Sequence, residues 1–102
     1  MKVLRLAVCL LALLGSAAAA KITYEGGDGS TMAQAVIIAD AVGETDGVES
    51  EYIWLDQHFH GYTGDGQALL QDGKRIYDLL TIHQSGKKYE IYFDITDYFG
   101  KM

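Results

Sequence analysis

Beyond residue 20, apolar and polar positions fall into short alternating runs and one stretch with helical spacing. The sharpest alternation is at the end. Residues 75–83 and 88–95 flank Ser85-Gly86, a two-residue hairpin signal. With that loop, Gln84 pairs with Lys87, Ile82 with Tyr89, Leu80 with Ile91, Asp78 with Phe93 and Ile76 with Ile95. One face then carries Ile76, Leu80, Ile82, Tyr89, Ile91, Phe93 and Ile95. The other carries Tyr77, Leu79, Thr81, His83, Lys88, Glu90, Tyr92 and Asp94. A one-residue slip would mix the two sets, so the pattern itself supports the register. It leaves Asp78 as the only charge on the apolar face. Thr96 is placed to cap a last turn, residues 97–100, that lays Tyr98 and Phe99 on the core.

Helical period governs the middle. Val48, Tyr52, Leu55 and Phe59 project within about 60° of one another on a helix, which predicts a helix over residues 46–60. Thr45 or Asp46 can cap it, Glu49 and Glu51 suit its positive first turn, and Gly61 stops it. Upstream, residues 21–25 alternate Ile22 and Tyr24 as a short strand, broken by Gly26 to Ser30. Ala35-Val36-Ile37-Ile38-Ala39 is a β-branched apolar run. It predicts a buried strand over 35–41 after one helical turn at 31–34, where Thr31 and Gln34 have capping-box spacing. A single helix over 31–42 is the alternative. Residues 61–66 read as a loop and Ala68-Leu69-Leu70 as a short edge strand. The expected class is α+β: one main helix on an antiparallel sheet of about four strands.

The first twenty residues read differently. Lys2 and Arg5 precede an apolar run from Leu6 to Leu14, and Ala18-Ala19-Ala20 offers small residues for cleavage after Ala20. The run is too short to span roughly 30 Å of hydrocarbon. The expectation is a cleaved signal peptide over 1–20, one small domain over 21–102, and a periplasmic or secreted protein with no integral membrane segment in its mature chain. Cys9, the one cysteine, lies inside the apolar run. It is away from the cleavage point, so lipidation is not expected and the mature domain has no thiol.

Charge narrows the partners. Lys and Arg number 8 against 14 Asp and Glu in 102 residues. Without Lys2 and Arg5 the remainder holds 6 basic against 14 acidic residues, a balance of −8. That excludes nucleic-acid binding by phosphate neutralisation and disfavours anionic membranes.

The chain resembles a group of small exported bacterial proteins of unknown function. The residues that carry this are Tyr24-Glu25-Gly26-Gly27-Asp28-Gly29-Ser30, Ala35 to Ile38, Glu51-Tyr52, Trp54-Leu55, Tyr77-Asp78, Tyr92 to Thr96, and Phe99-Gly100-Lys101. The resemblance implies an export route and a fold, and carries no activity or site. Locally, Tyr89 to Asp94 after a turn glycine is similar to the strand end of PepSY-type periplasmic domains, which often restrain or bind other proteins. The chain departs from them at Asp97-Tyr98-Phe99-Gly100, where those domains have a Thr-Gly turn.

Candidate chemistry is sparse. His58 and His60 diverge by about 200° on a helix, and no H-x-x-x-H or C-x-x-C spacing is present, so no metal or cofactor is expected. Gly26-Gly27-Asp28-Gly29 and Gly64-Asp65-Gly66 read as turns, since the ligand ladder of a calcium loop is missing. Glu51, Trp54 and His58 form a second helix stripe that can line a groove or flank the core. Asp78 calls for a structural role, accepting N–H bonds from a glycine-rich loop, because a carboxylate on an apolar face is costly without partners. Tyr77, Leu79 and Tyr92 leave rings and an aliphatic chain on the outer face. These features favour a non-enzymatic module that binds a protein or envelope partner, with Trp54, Tyr77, Tyr92, Glu51 and His58 as candidate binding residues. The alternative is a small hydrolase or metal-dependent enzyme using Glu51, His58 and Asp78.

Overall fold

The computed structural model describes residues 22–101. The expected signal peptide and Cys9 lie outside them. Five strands and one helix follow in order: β1 (Thr23–Gly26), β2 (Val36–Ala39), α1 (Glu44–His58), β3 (Thr63–Asp72), β4 (Arg75–Gln84) and β5 (Lys87–Asp94). The class is α+β. The sheet has five strands rather than four, in the order β1-β2-β5-β4-β3. It is mixed rather than antiparallel, because β2 runs parallel to β5. The chain reaches β5 from β2 through α1 and the β3–β4 meander, and α1 covers one face.

The β4–β5 hairpin has the register that alternation predicts, with Gln84 opposite Lys87, Ile82 opposite Tyr89, Leu80 opposite Ile91 and Asp78 opposite Phe93. Its turn places both Ser85 (φ 53) and Gly86 (φ 76) in the left-handed region, the geometry that matches strand twist in a two-residue hairpin. Leu80, Ile82, Ile91, Phe93 and Ile95 are buried against Val36, Ile38, Leu55 and Tyr98. Trp54 meets Phe93 edge-on at 5.5 Å. Residues 31–34 form a turn, with the Gln34 N–H donating to Thr31 Oγ1 and Thr31 O. The following segment is a strand, not the alternative helix.

Further expectations are corrected. β3 is ten residues long and absorbs the segment read as a loop. Gly64-Asp65-Gly66 is a register shift inside the strand, and β3 stays almost wholly exposed at the sheet edge, so burial never imposed an apolar pattern on it. The helix starts at Glu44, after an extended Gly43 with no side-chain cap. The Lys101 carbonyl accepts the Glu44 N–H instead. The helix is also rotated from its apparent apolar stripe. Gly47, Ser50, Glu51, Trp54 and Leu55 are buried, whereas Val48 and Tyr52 are 38% and 41% exposed.

Polar partners set that rotation. Tyr24 OH donates to the Ser50 carbonyl at 2.7 Å, and Tyr98 OH donates to Glu51 Oε2 at 2.8 Å. Gly47 lies flat against the Tyr98 ring, where a Cβ would collide with it. Tyr98 is 1% exposed while Phe99 is 45% exposed, so only the first of the two packs inward. Thr96 does not cap the last turn. Its hydroxyl accepts the Ile76 N–H and donates to Asp94 Oδ1.

Candidate functional groove

Beside the end of α1 lies a groove of ≈ 670 Å³. Val36, Ile91 and Tyr89 give it an apolar lining, together with Trp54 and Phe59. Phe59 packs on Tyr89 with ring centroids 4.8 Å apart. His58 stacks on Trp54 at 3.8 Å and 14°, held there by Nδ1–H donation to the Trp54 carbonyl at 2.8 Å. The groove exists because β2 starts late. Its ladder with β5 covers only Phe93 and Asp94. Ahead of Val36 the chain folds away through residues 27–35, and Gly29 reaches back so that its carbonyl accepts the Tyr92 N–H at 2.8 Å. Along the first half of β5 no strand fills the place that β2 would occupy.

Glu25, Asp28 and Glu90 also line the groove, and no Lys or Arg does. Ser30 donates its hydroxyl to Asp28 Oδ1 at 2.6 Å and its N–H at 3.0 Å. These two bonds hold Asp28 below the usual carboxylate range, so Asp28 is charged at neutral pH.

The sequence-predicted residues part company here. Trp54 and His58 reach the groove, while Glu51, from the same stripe, is fully buried. Tyr77, expected as an exposed ring, is 8% exposed, and Tyr92 is half-buried. Their neighbours across the outer face, Leu79, Leu70 and Ile37, are half-buried too, so the outer face shields itself more than its pattern implied.

Asp78 is 3% exposed on the apolar face, as predicted. Its partners are not a loop: Gln67 Nε2 donates to Oδ1 at 3.1 Å, and Glu51 lies alongside. Burial, then hydrogen bonding to Asp78 and its charge, push the Glu51 carboxyl up to about 9. Counted as an ionised carboxylate, Glu51 leaves Oε1 with no partner. As a carboxylic acid it can donate to the neighbouring Asp78 side chain while Oε2 accepts Tyr98 OH. The pair is thereby a neutral-plus-acceptor bridge between α1 and β4. It opens onto no groove residue, and His58 lies about 10 Å further along the helix. The three residues of the hydrolase alternative are not assembled. Among the described residues no three His, Cys, Asp or Glu side chains converge, and no helix is long and apolar enough to cross a membrane.

Comparison with protein-family models, curated proteins and solved structures finds no match to this chain.

Sequence reading missed Asp28, Phe59, Tyr89 and Glu90 as groove residues. Their assembly follows from the late start of β2 and carries no local signal. Only the Asp-Gly-Ser turn hinted at a fixed carboxylate.

Proposed function

We propose that this is an exported, non-enzymatic domain that captures a protein partner in the groove between β1, β5 and the end of α1. The observation that carries the reading is the missing strand: an apolar slot, floored by Val36 and Ile91 and walled by Trp54, opens where the sheet is interrupted. Slots with an apolar lining and a few fixed polar groups are where ligands bind. The buried Glu51–Asp78 pair, the best acid–base candidate, has a structural role instead. Export rests on the leader pattern of residues 1–20.

The test is site-specific photocrosslinking in cells that produce the full chain. A benzophenone side chain at Glu90 should yield a defined adduct, and one at Asp56, on the exposed side of α1, should not. Equal or absent adducts at both positions would sink the groove reading. The leader is checked separately, by the mass of the mature protein, which should begin at Lys21.

A further inference from the structure

We infer that the groove takes an extended, lysine- or arginine-bearing segment of its partner as an added strand along the free half of β5. This rests on the groove reading above and specifies its partner. The two-residue turn and the Ile95 N–H bond to Ile76 O at 2.9 Å assign the odd residues of β5 to the β4 ladder. Alternation then turns the even residues the other way, as the Tyr92 N–H bond to Gly29 O confirms. Beyond Tyr92, the backbone N–H and C=O groups of Glu90 and Lys88 have no ladder partner among the described residues. An unpaired strand edge is a template for another chain.

Side-chain alternation selects the chemistry. β5 sends Tyr89 and Ile91 to the side covered by α1 and Glu90 to the opposite side. A strand laid beside β5 shares its pleat. Its alternate residues meet the apolar lining at Trp54 and Phe59, and the residues between them emerge beside Glu90. Glu25 and Asp28 add two more acidic side chains to the same groove, with no lysine or arginine in its lining. Lys88, the next residue on Glu90's face, lies outside it. Charge complementarity therefore asks for apolar residues alternating with basic ones.

Trp54 is the only tryptophan of the chain and lines the groove, so its fluorescence reports on occupancy. The probes are the blocked peptides acetyl-Lys-Val-Lys-Val-Lys-amide, its Glu-Val-Glu-Val-Glu counterpart, and the lysine peptide N-methylated at its central lysine and both valines, which removes the ladder donors of either strand direction. The lysine peptide should shift Trp54 emission saturably and slow exchange of the Glu90 amide. The glutamate peptide should bind at least tenfold more weakly, as should the N-methylated one. Asp28→Asn with Glu90→Gln should weaken the lysine peptide at least tenfold with an unchanged melting temperature. Equal binding of lysine and glutamate peptides overturns the basic partner and leaves groove capture standing. Binding without Glu90 protection, or undiminished by N-methylation, overturns strand addition. No binding of any peptide, where crosslinking from position 90 succeeds, overturns this inference alone; failure of both overturns the groove reading too.

Discussion

Glu51 lies beside Asp78 between α1 and the sheet, while Asp28 lies at the rim of the groove, and the carboxyls of Glu51 and Asp28 behave oppositely. Under the helix, burial makes charge costly, so Glu51 keeps its proton and donates to Asp78 while Tyr98 supports its other oxygen. At the rim, water and the Ser30 donors favour the ionised form, and Asp28 is held below its ordinary range. The Glu51–Asp78 pair ties elements together; Asp28 stays charged in solvent. Acidic residues in a chain of −6 are thus not one population. Solvent access sorts them into buried hydrogen-bonding groups and solvated charges.

The largest expected consequence is a pH dependence of stability. Folded Glu51 titrates at about 9 against an ordinary 4.5. Between those values the folded chain holds a proton that the unfolded chain has lost. This contribution is complete below pH 4.5 and is lost progressively as pH rises toward 9. Denaturant midpoints at pH 5, 7 and 8.5 should decline in the wild type and stay flat, as far as this group is concerned, in Glu51→Gln. Equal slopes would show that Glu51 is ionised in the folded state.

Next comes Gly47→Ala. On an exposed helix it would stabilise by about 1 kcal/mol. Here the new methyl meets the Tyr98 ring, and the loss should exceed about 3 kcal/mol or abolish folding, read by thermal unfolding. Asp78→Ala should cost about 2–4 kcal/mol, since it strips the acceptor from both Gln67 and protonated Glu51. Glu51→Gln should cost under about 1 kcal/mol at pH 5, because an amide can donate to Asp78 and accept from Tyr98 as the acid does. At pH 9 that variant should be the more stable of the two. Smallest of all, Asp28→Asn and Glu90→Gln should leave the melting temperature unchanged; a measurable drop would mean that the rim carboxylates serve the fold.

The hairpin was readable because both its faces obey one period. Ile82, Ile91 and Phe93 alternate with polar neighbours, and the positive-φ turn residues pin the register. The strand reading of Val36 to Ala39 likewise followed from β-branched side chains. The helix was legible in existence but not in rotation. Val48 and Tyr52 look apolar, yet Ser50 and Glu51 are the buried positions, because hydroxyls from Tyr24 and Tyr98 wait for them. Of β3 only Ala68 to Leu70 read as strand, since pairing through the backbone needs no side-chain pattern at an open edge.

By itself the sequence determined the class of fold, the β4–β5 register and the odd carboxylate on the apolar side, since local period and turn chemistry act between residues close in the chain. Only the tertiary structure decided that β2 lies parallel to β5 and starts late, that α1 turns Glu51 inward, and that Trp54, Tyr89 and Asp28 share one groove. Those outcomes depend on contacts between segments tens of residues apart, where packing and the desolvation of polar groups outweigh any local preference.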